Sequence, residues 1–383
     1  MKRLSLFLAG VLTLGGAGHL SAEQLDRAFL DGLLRIPSRC GDEAELVRVV
    51  DYTRAWLETR GVWCAVETNE AGRIALYAAT VPGKCHDYVF VSHLDVVKAP
   101  DAMFTPRYDG DRFYGRGACD TKGNAAVACQ VLAALVGKAS VGLFLATDED
   151  GGGKGTPTPQ MILDRGYRPR KLVLVGDSAG EEPGQLFTAE KGHAHIDLVA
   201  HGKGGHSSRP WALDNPVPKL CAGYMRFVAA WDPDADPKEK WRTVLSPTML
   251  AGSAAPNAVA DEVSMHLSCR YTTRAEYDRA IRTLKETTGL EVRAKPGRLP
   301  VENRPDDPEI ARLLAAMKRD LPGGIREGRM SAATDASYYA TLGVPIVIFA
   351  AEGGEPHCDR EWGSLRSLDD YLTFFIGYFK NEG

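Results

Sequence analysis

Seven histidine and acidic residues of this chain are of types that bind metal ions or transfer protons. In chain order they are His93, Asp95, Asp120, Glu149, Asp150, Asp177 and His357. One such residue alone is more often a helix cap or a solvated loop residue. Several carboxylates that converge repel one another unless protons or cations compensate the charge. Imidazoles and carboxylates together form the ligand set that suits Zn2+, with Co2+ or Mn2+ as alternatives, so the residue types predict a pair of bound dications.

The elements that must position these residues alternate between strands and helices. Short apolar runs predict buried strands at Tyr88–Ser92, Val141–Thr147, Lys171–Gly176 and Val344–Ala350. Helical spacing of apolar residues predicts helices at Glu45–Arg60, Asn124–Val136, Pro308–Asp320 and Leu368–Lys380. This alternation predicts an α/β fold with a mostly parallel sheet and helices on both faces. The site of such a sheet lies beyond the carboxyl ends of its strands, where His93, Glu149 and Asp177 fall.

A different pattern between residues 192 and 300 predicts a second unit. Strand, helix, two strands, helix and strand follow one another there, without the strand and helix alternation of the flanking regions. We therefore expect an inserted two-layer α+β domain at residues 192–300. The catalytic domain then consists of residues 23–191 and 301–383.

The first 22 residues have the layout of a secretory signal. Two basic residues, Lys2 and Arg3, precede an apolar stretch that ends near Gly18 and is followed by Leu20-Ser21-Ala22. The stretch is too short and too rich in glycine to predict a stable membrane span, with an uncleaved anchor as the alternative. We therefore expect residues 1–22 to be a signal peptide and the mature protein to be periplasmic or secreted. A formal net charge of -4 without a basic run argues against nucleic acid as a partner.

Eight motifs occur in a fixed order along the chain. They are SHLDVV, GRGACDTKGN, TDEDGGGKGT, GDSAG, EKGHAHIDLVAHGKGGHSSRP, APNAVADEVSMHLSCRY, MSAATDASYY and PHCDREW. In this order they resemble the motifs of the dinuclear zinc amidohydrolase and exopeptidase family. That family includes glutamate carboxypeptidase, tripeptide aminopeptidase, acetylornithine deacetylase, succinyl-diaminopimelate desuccinylase and aminoacylase. The resemblance covers essentially the whole chain after residue 22, and it implies a zinc-binding catalytic domain with an inserted dimerisation or lid domain.

The resemblance implies a role for five of these residues as metal ligands. Asp120 corresponds to the carboxylate that bridges two zinc ions. His93 and Asp177 correspond to ligands of one zinc, and Asp150 and His357 to ligands of the other. The implied cofactor is therefore two Zn2+ ions per subunit, with Co2+ or Mn2+ as alternatives.

Two further residues are implied to support the reaction. Asp95 would hold the His93 ring in its tautomer. Glu149 would be the general base that takes a proton from the attacking water and passes it to the leaving amine. The chain departs from the family pattern here, because the family usually has two glutamates where this chain has Glu149 and Asp150. The glycine spacing of DEDGGGKG keeps the register, so Asp150 stays the implied ligand, while its shorter side chain leaves the occupancy of that zinc open.

Three residues of the inserted domain are implied to contact the substrate. His206 resembles a histidine that reaches the active site of the partner subunit and stabilises the oxyanion, which implies a homodimer formed through the inserted domain. Asn257 and Arg270 resemble residues that hold the substrate carboxylate, and the planar fork of arginine matches a carboxylate in a bidentate pair. For Arg270, a surface salt bridge is the alternative.

The predicted substrate is a short peptide or an N-acyl amino acid with a free carboxylate. In the resembling family, members with aspartate at the position of Asp177 tend to be exopeptidases, whereas deacylases tend to have glutamate. Export favours the same assignment, because acetylornithine and succinyl-diaminopimelate are cytoplasmic intermediates. The first interpretation is therefore an exported zinc-dependent exopeptidase of the carboxypeptidase or dipeptidase type. A deacylase of N-acyl amino acids is the second, and a metal-free peptide-binding protein is the third, against which Glu149 argues.

Overall fold

The computed structural model describes residues 23–177, 184–232, 236, 238–253 and 255–381 of the chain. The signal peptide predicted at residues 1–22 lies outside the described residues, and so do the last three residues of the GDSAG motif. Within the described ranges, none of the helices combines the length and the hydropathy that a membrane span requires.

Nine α-helices lie in the described residues. They are α1 (Arg27–Arg35), α2 (Glu43–Glu58), α3 (Lys122–Ala134), α4 (Thr158–Asp164), α5 (Pro216–Ala230), α6 (Arg274–Thr288), α7 (Pro308–Asp320), α8 (Ala336–Tyr339) and α9 (Leu365–Lys380). Side-chain caps fix the starts of several helices, since Asp42, Thr273 and Asp307 each accept a hydrogen bond from a backbone N–H of the first turn. The predicted helix at Pro308–Asp320 is confirmed as α7, and those predicted for α2, α3 and α9 begin within three residues of the observed starts.

The same part of the chain contains nineteen strands. They are β1 (Trp63–Thr68), β2 (Ile74–Ala79), β3 (Cys85–His93), β4 (Arg107–Asp109), β5 (Arg112–Tyr114), β6 (Val141–Ala146), β7 (Arg168–Gly176), β8 (Gln185–Glu190), β9 (Gly192–His201), β10 (Gly205–His206), β11 (Val244–Ala251), β12 (Ala258–Val259), β13 (Glu262–Tyr271), β14 (Glu291–Pro296), β15 (Val301–Glu302), β16 (Arg326–Met330), β17 (Ile346–Phe349), β18 (Gly353–Gly354) and β19 (Trp362–Ser364). The four buried strands predicted from apolar runs are confirmed as β3, β6, β7 and β17.

The central sheet has the strand order β1-β2-β6-β3-β7-β17-β8-β15, and β16 pairs with β8. Its four middle strands, β6, β3, β7 and β17, are parallel. Antiparallel pairs lie towards the edges, where β1 pairs with β2, β2 with β6, and β15 with β8. Because the middle strands are parallel, their carboxyl ends meet at one edge of the sheet.

Helices cover both faces of this sheet because successive side chains of a strand point to opposite faces. Phe90 and Leu143 face a core that also contains side chains of α1, α2, α3, α7 and α9. Val91 and Phe144 face a second core with side chains of α4 and α8. The predicted α/β fold, with a mostly parallel sheet between helices, is confirmed.

The inserted segment forms a separate antiparallel sheet with the order β11-β13-β9-β14. Helices α5 and α6 pack on one face, where Leu220, Phe227 and Leu284 meet Ile196 and Leu267. This is the two-layer α+β arrangement predicted from the sequence. The domain limits at residues 192 and 300, and the lid or dimerisation role, stay predictions.

Candidate active site

Strand β3 ends at His93, whose ring is buried at the carboxyl edge of the central sheet. Its Nδ1 lies 2.9 Å from the main-chain oxygen of Asp95, so the ring donates there and turns Nε2 towards the other site residues. The Asp95 carboxylate is farther away, with Oδ1 3.6 Å from Nδ1. Its oxygens accept hydrogen bonds from the backbone N–H groups of Glu149 and Asp150, at 3.3 and 3.0 Å. Asp95 therefore contacts His93 mainly through its carbonyl and shapes the Glu149 loop through its carboxylate.

Asp120 lies between the two histidines that were predicted as ligands. Its Oδ1 is 3.1 Å from His93 Nε2, and its Oδ2 is 3.0 Å from His357 Nε2. The loop before α3 is held by buried Glu361, whose Oε1 accepts hydrogen bonds from the N–H groups of Cys119 and Asp120 at 3.1 and 3.2 Å. With one oxygen towards each imidazole, Asp120 has the placement that a bridging ligand requires.

Asp150 reaches His357 although its side chain is shorter than that of the usual glutamate. Its Oδ1 is 3.0 Å from His357 Nε2, and its Oδ2 accepts a hydrogen bond of 3.0 Å from the N–H of Val97. The His357 side chain is 53% exposed, whereas that of Asp150 is 5% exposed. The site is therefore open to solvent on the side of His357.

Asp177 follows β7 directly and is buried. Ligand atoms of Asp177, Glu149 and His93 all lie within 4.8 Å of one another, and the same holds for His93, Asp120 and Asp150. The structure therefore brings the five predicted ligands and the predicted base together at one edge of the sheet.

The charges of this cluster depend on one another. Burial raises the pKa of Asp177 well above its usual range, and repulsion from Glu149 and Asp120 adds to this against the attraction of His93. Burial also acts to raise the pKa of Asp120, but hydrogen bonds from His357 and His93 outweigh it and lower that pKa below its usual range. Hydrogen bonds to Asp120 and Asp150 raise the pKa of His357 to about 10.

Buried carboxylates that share imidazoles in this way require positive charge between them. Two dications would supply that charge, and the nitrogen and oxygen donors match the preferences of zinc. The residues present therefore fit a dinuclear metal centre.

Two residues that sequence reasoning missed complete the surroundings of Glu149. Arg298 Nη1 lies 2.7 Å from Glu149 Oε1 and 3.5 Å from Oδ1 of buried Asp335. Arg298 follows β14, where the chain returns from the inserted unit, and Asp335 precedes α8. Arg298 is one of 46 lysines and arginines in the sequence. The one signal that could have singled it out is its place in the segment that leads from the inserted unit back to the catalytic domain.

The structure does not bring all the predicted substrate contacts to the cluster. His206 in β10 and Asn257 before β12 are exposed neighbours, since the Ser207 N–H donates to the main-chain oxygen of Asn257 at 2.9 Å. Within the described part of the chain, neither side chain forms a hydrogen bond or an ion pair with the cluster. Arg270 lies near the end of β13, in register with His193 of β9.

Comparison with known proteins identifies relatives over most of the chain. The family model described as peptidase family M20/M25/M40 matches residues 89–381. A succinyl-diaminopimelate desuccinylase of Wolinella succinogenes is 24% identical over 324 residues, which cover 81% of this chain and 86% of that protein.

Solved structures resemble the fold over nearly the whole chain. The aminopeptidase PepT of Bacillus cereus superposes with a TM-score of 0.73 at 17% identity, covering 95% of this chain and 99% of that one. An M20 family metallo-carboxypeptidase of Sulfolobus solfataricus superposes with a TM-score of 0.70 at 15% identity, covering 92% and 98%. At these identities the likeness establishes the fold alone.

Proposed function

The chain belongs to peptidase family M20/M25/M40, and from this premise we propose that it is an exported zinc-dependent exopeptidase of the carboxypeptidase or dipeptidase type. The family makes the chain a metal-dependent hydrolase of peptide or linear amide bonds. The proposed substrates are short peptides or N-acyl amino acids that carry a free carboxylate. The observation that carries the proposal is the Asp120 carboxylate, 3.1 and 3.0 Å from two imidazoles, with Glu149 beside them.

Five side chains would hold the metal ions in this proposal. They are His93, Asp120, Asp150, Asp177 and His357. When bound, two dications polarise the scissile carbonyl and lower the pKa of the attacking water.

The chain's own residues carry out the remaining steps. Glu149 accepts the proton of the attacking water on its carboxylate and delivers it to the nitrogen of the leaving amine. Arg270 and Asn257 hold the free carboxylate of the substrate, with Asn257 contributed by the same subunit as its neighbour His206, so that the scissile bond is fixed relative to Glu149. His206 of the partner subunit donates a hydrogen bond to the carbonyl oxygen as negative charge develops there.

Two features support a peptidase, and one favours a deacylase. Asp177 is an aspartate where deacylases of the resembling family tend to have glutamate, and the neighbouring folds include an aminopeptidase and a carboxypeptidase. A relative named as a desuccinylase supports a deacylase of N-acyl amino acids as the second candidate. The compact cluster of ligands beside Glu149 argues against a metal-free binding protein.

Export rests on the sequence of residues 1–22. The basic pair Lys2 and Arg3, followed by an apolar stretch, is typical of a signal peptide. Expression with this segment in a bacterial host should yield a product in the periplasm or medium whose N-terminus lies near Glu23. A product that keeps Met1 in the cytoplasm would contradict export.

A release assay tests the proposed activity. Protein freed of metal is supplied with two equivalents of Zn2+, Co2+ or Mn2+ and offered matched pairs, such as Ala-Glu and N-acetyl-Glu, with Glu149→Gln protein as the control. We expect metal-dependent release of the amino acid that is faster from dipeptides than from acyl amino acids. Release from the acyl compounds alone would make the protein a deacylase, and binding without release would make it a binding protein.

A further inference from the structure

Arg298 belongs to the inserted unit by its backbone and to the active site by its side chain. Its carbonyl oxygen accepts hydrogen bonds from the N–H of His193 at 2.9 Å and from the Tyr271 hydroxyl at 2.8 Å, and both donors lie in the inserted sheet. Its guanidinium crosses to Glu149, 149 residues away in the sequence, with an Nη1 to Oε1 distance of 2.7 Å. The residue therefore links the inserted sheet to the predicted base.

The surroundings of the guanidinium make this contact costly to remove. The Arg298 side chain is 24% exposed, and the side chains of Glu149 and Asp335 are 13% and 4% exposed. Arg298 Nη1 lies 2.7 Å from Glu149 Oε1 and 3.5 Å from Asp335 Oδ1, so both carboxylates share this cation. Asp335 Oδ2 has no hydrogen-bond partner among the described groups. Truncating one member of a buried ion pair leaves an uncompensated charge.

We propose that Arg298 is the positioning residue for Glu149. Its hydrogen bond occupies Oε1 and fixes the carboxylate plane, which leaves Oε2 as the oxygen that takes the proton from the attacking water. Because the Arg298 backbone is bonded to β9 and β13, the position of the base depends on how the inserted unit sits against the catalytic sheet. The inference rests on the proposed function, since Glu149 acts as a general base only in that reaction.

A double-mutant cycle tests this role. Wild type, Arg298→Ala, Glu149→Gln and the double variant are compared in steady-state assays with zinc-loaded protein and a dipeptide. A displacement of about 1 Å in a reacting group costs on the order of 100-fold in rate, so we expect Arg298→Ala to lower kcat by roughly 100-fold with KM changed by less than about threefold. In the Glu149→Gln background, Arg298→Ala should cause no further loss, because it acts through the carboxylate that is already gone.

Two controls separate positioning from general destabilisation. Arg293→Ala removes an arginine from β14 that pairs with Glu291 and Glu262 inside the inserted unit, and it should keep wild-type turnover. Arg298→Lys retains the charge, and its kcat should be at least tenfold higher than that of Arg298→Ala. Guanidinium added at millimolar concentration should partly restore the kcat of Arg298→Ala. If Arg298→Ala does not fold, the same cycle is run with Arg298→Gln, which removes the charge and keeps a polar side chain. Zinc content and the unfolding temperature are measured for every variant.

The outcomes separate this inference from the proposed function. Losses that multiply in the double variant, or a rise in KM confined to substrates with a free carboxylate, would overturn the positioning role and make Arg298 a substrate contact. A wild-type protein that hydrolyses no member of the substrate panel would overturn the proposed function and this inference with it.

Discussion

At the scale of single residues, Asp150 shows how the surroundings compensate for a shorter side chain. The Asp95 carboxylate accepts hydrogen bonds from the N–H groups of Glu149 and Asp150 and holds their loop at the edge of the sheet. The Asp150 carboxylate thereby reaches within 3.0 Å of His357 Nε2. The residue types at this site could be predicted from the sequence, whereas the backbone hydrogen bonds that place them could not.

The first prediction concerns Glu149→Gln. The variant should keep wild-type zinc content, because the amide replaces a base and leaves the five predicted ligands in place. The value of kcat should fall by roughly 100- to 10,000-fold, which is the usual contribution of a general base. Metal analysis and steady-state kinetics on the same sample check both statements. Loss of zinc would make Glu149 a ligand, and near-normal turnover would remove it from the mechanism.

The second prediction concerns Arg270→Ala. The variant should lose roughly 10- to 100-fold in kcat/KM for substrates with a free carboxylate, since a hydrogen bond to a charged group contributes about 1.5–3 kcal/mol. The corresponding substrate amides should be affected far less, because they cannot form the bidentate ion pair. Kinetics on matched acid and amide substrates make the comparison. Equal losses on both would assign Arg270 to a structural role.

Arg298 marks the limit of sequence reasoning at this scale, whereas Asp335 lies in the MSAATDASYY motif. Each metal ligand follows an apolar segment or lies in a recognisable motif, so its role could be predicted. Arg298 has no such signal, because its partner Glu149 is 149 residues away. Such a contact exists only after the inserted unit has packed against the catalytic sheet.

At the scale of elements, four strands of the central sheet could be predicted from their apolar runs, although the equally buried β2 was missed. β3, β6, β7 and β17 are continuous apolar runs because parallel strands between two helical layers meet a core on each side. β1 was missed, and its residues are mostly half-buried without a regular alternation. The small sheet of β4, β5, β18 and β19 was also missed, because strands of two or three residues carry no periodicity.

The third prediction concerns Glu190, which ends β8 and ties it to the loop before α8. Its Oε2 accepts hydrogen bonds from N and Oγ1 of Thr334, at 3.0 and 2.7 Å, and its Oε1 has no partner in the described residues. Burial raises the pKa of Glu190 from 4.5 to about 8, against the opposing hydrogen bonds of Thr334. The folded protein therefore binds this proton more tightly than the unfolded chain. The stability that results is complete below about pH 4.5 and is lost as the pH rises through 8.

Glu190→Gln should remove this pH dependence. The free energy of unfolding of the variant should rise relative to wild type by roughly 3 kcal/mol between pH 5 and pH 8. Urea unfolding at pH 5, 6.5 and 8, with metal chelated from both proteins, measures the difference. Glu302→Gln on the neighbouring strand β15 is the control, because Glu302 is exposed. A difference between Glu190→Gln and wild type that stays constant with pH would refute the prediction.

At the scale of the whole molecule, the inserted unit has an apolar outer surface. Val217, Met225 and Val228 on α5 are 48%, 61% and 44% exposed, and their spacing places them on one face of the helix. Met249 and Leu250 on the edge strand β11 are 67% and 72% exposed. Exposed apolar patches and open strand edges of this kind mark interaction sites. This surface supports the predicted homodimer through the inserted unit. The sequence alone could suggest that dimer only through the family resemblance.

The fourth prediction follows from the exposed position of His206, whose side chain forms no hydrogen bond or ion pair with its own cluster within the described residues. If the protein is a two-fold dimer, each active site combines Glu149 of one subunit with His206 of the other. Glu149→Gln and His206→Ala homodimers should then both be nearly inactive. Refolding an equal mixture gives half heterodimers, and each of these has one site with both native residues. Activity should therefore return to roughly a quarter of wild type.

Subunit exchange must be shown for the mixture to be informative. Different affinity tags on the two variants allow the heterodimers to be isolated and assayed alone. The isolated heterodimer should have half of wild-type activity, because one of its two sites is intact. Met249→Lys, which places a charge on the exposed strand β11, should lower the fraction of dimer in ultracentrifugation and abolish the recovery. A histidine that acts within its own subunit would leave the isolated heterodimer without activity, because each of its two sites would then lack either Glu149 or His206.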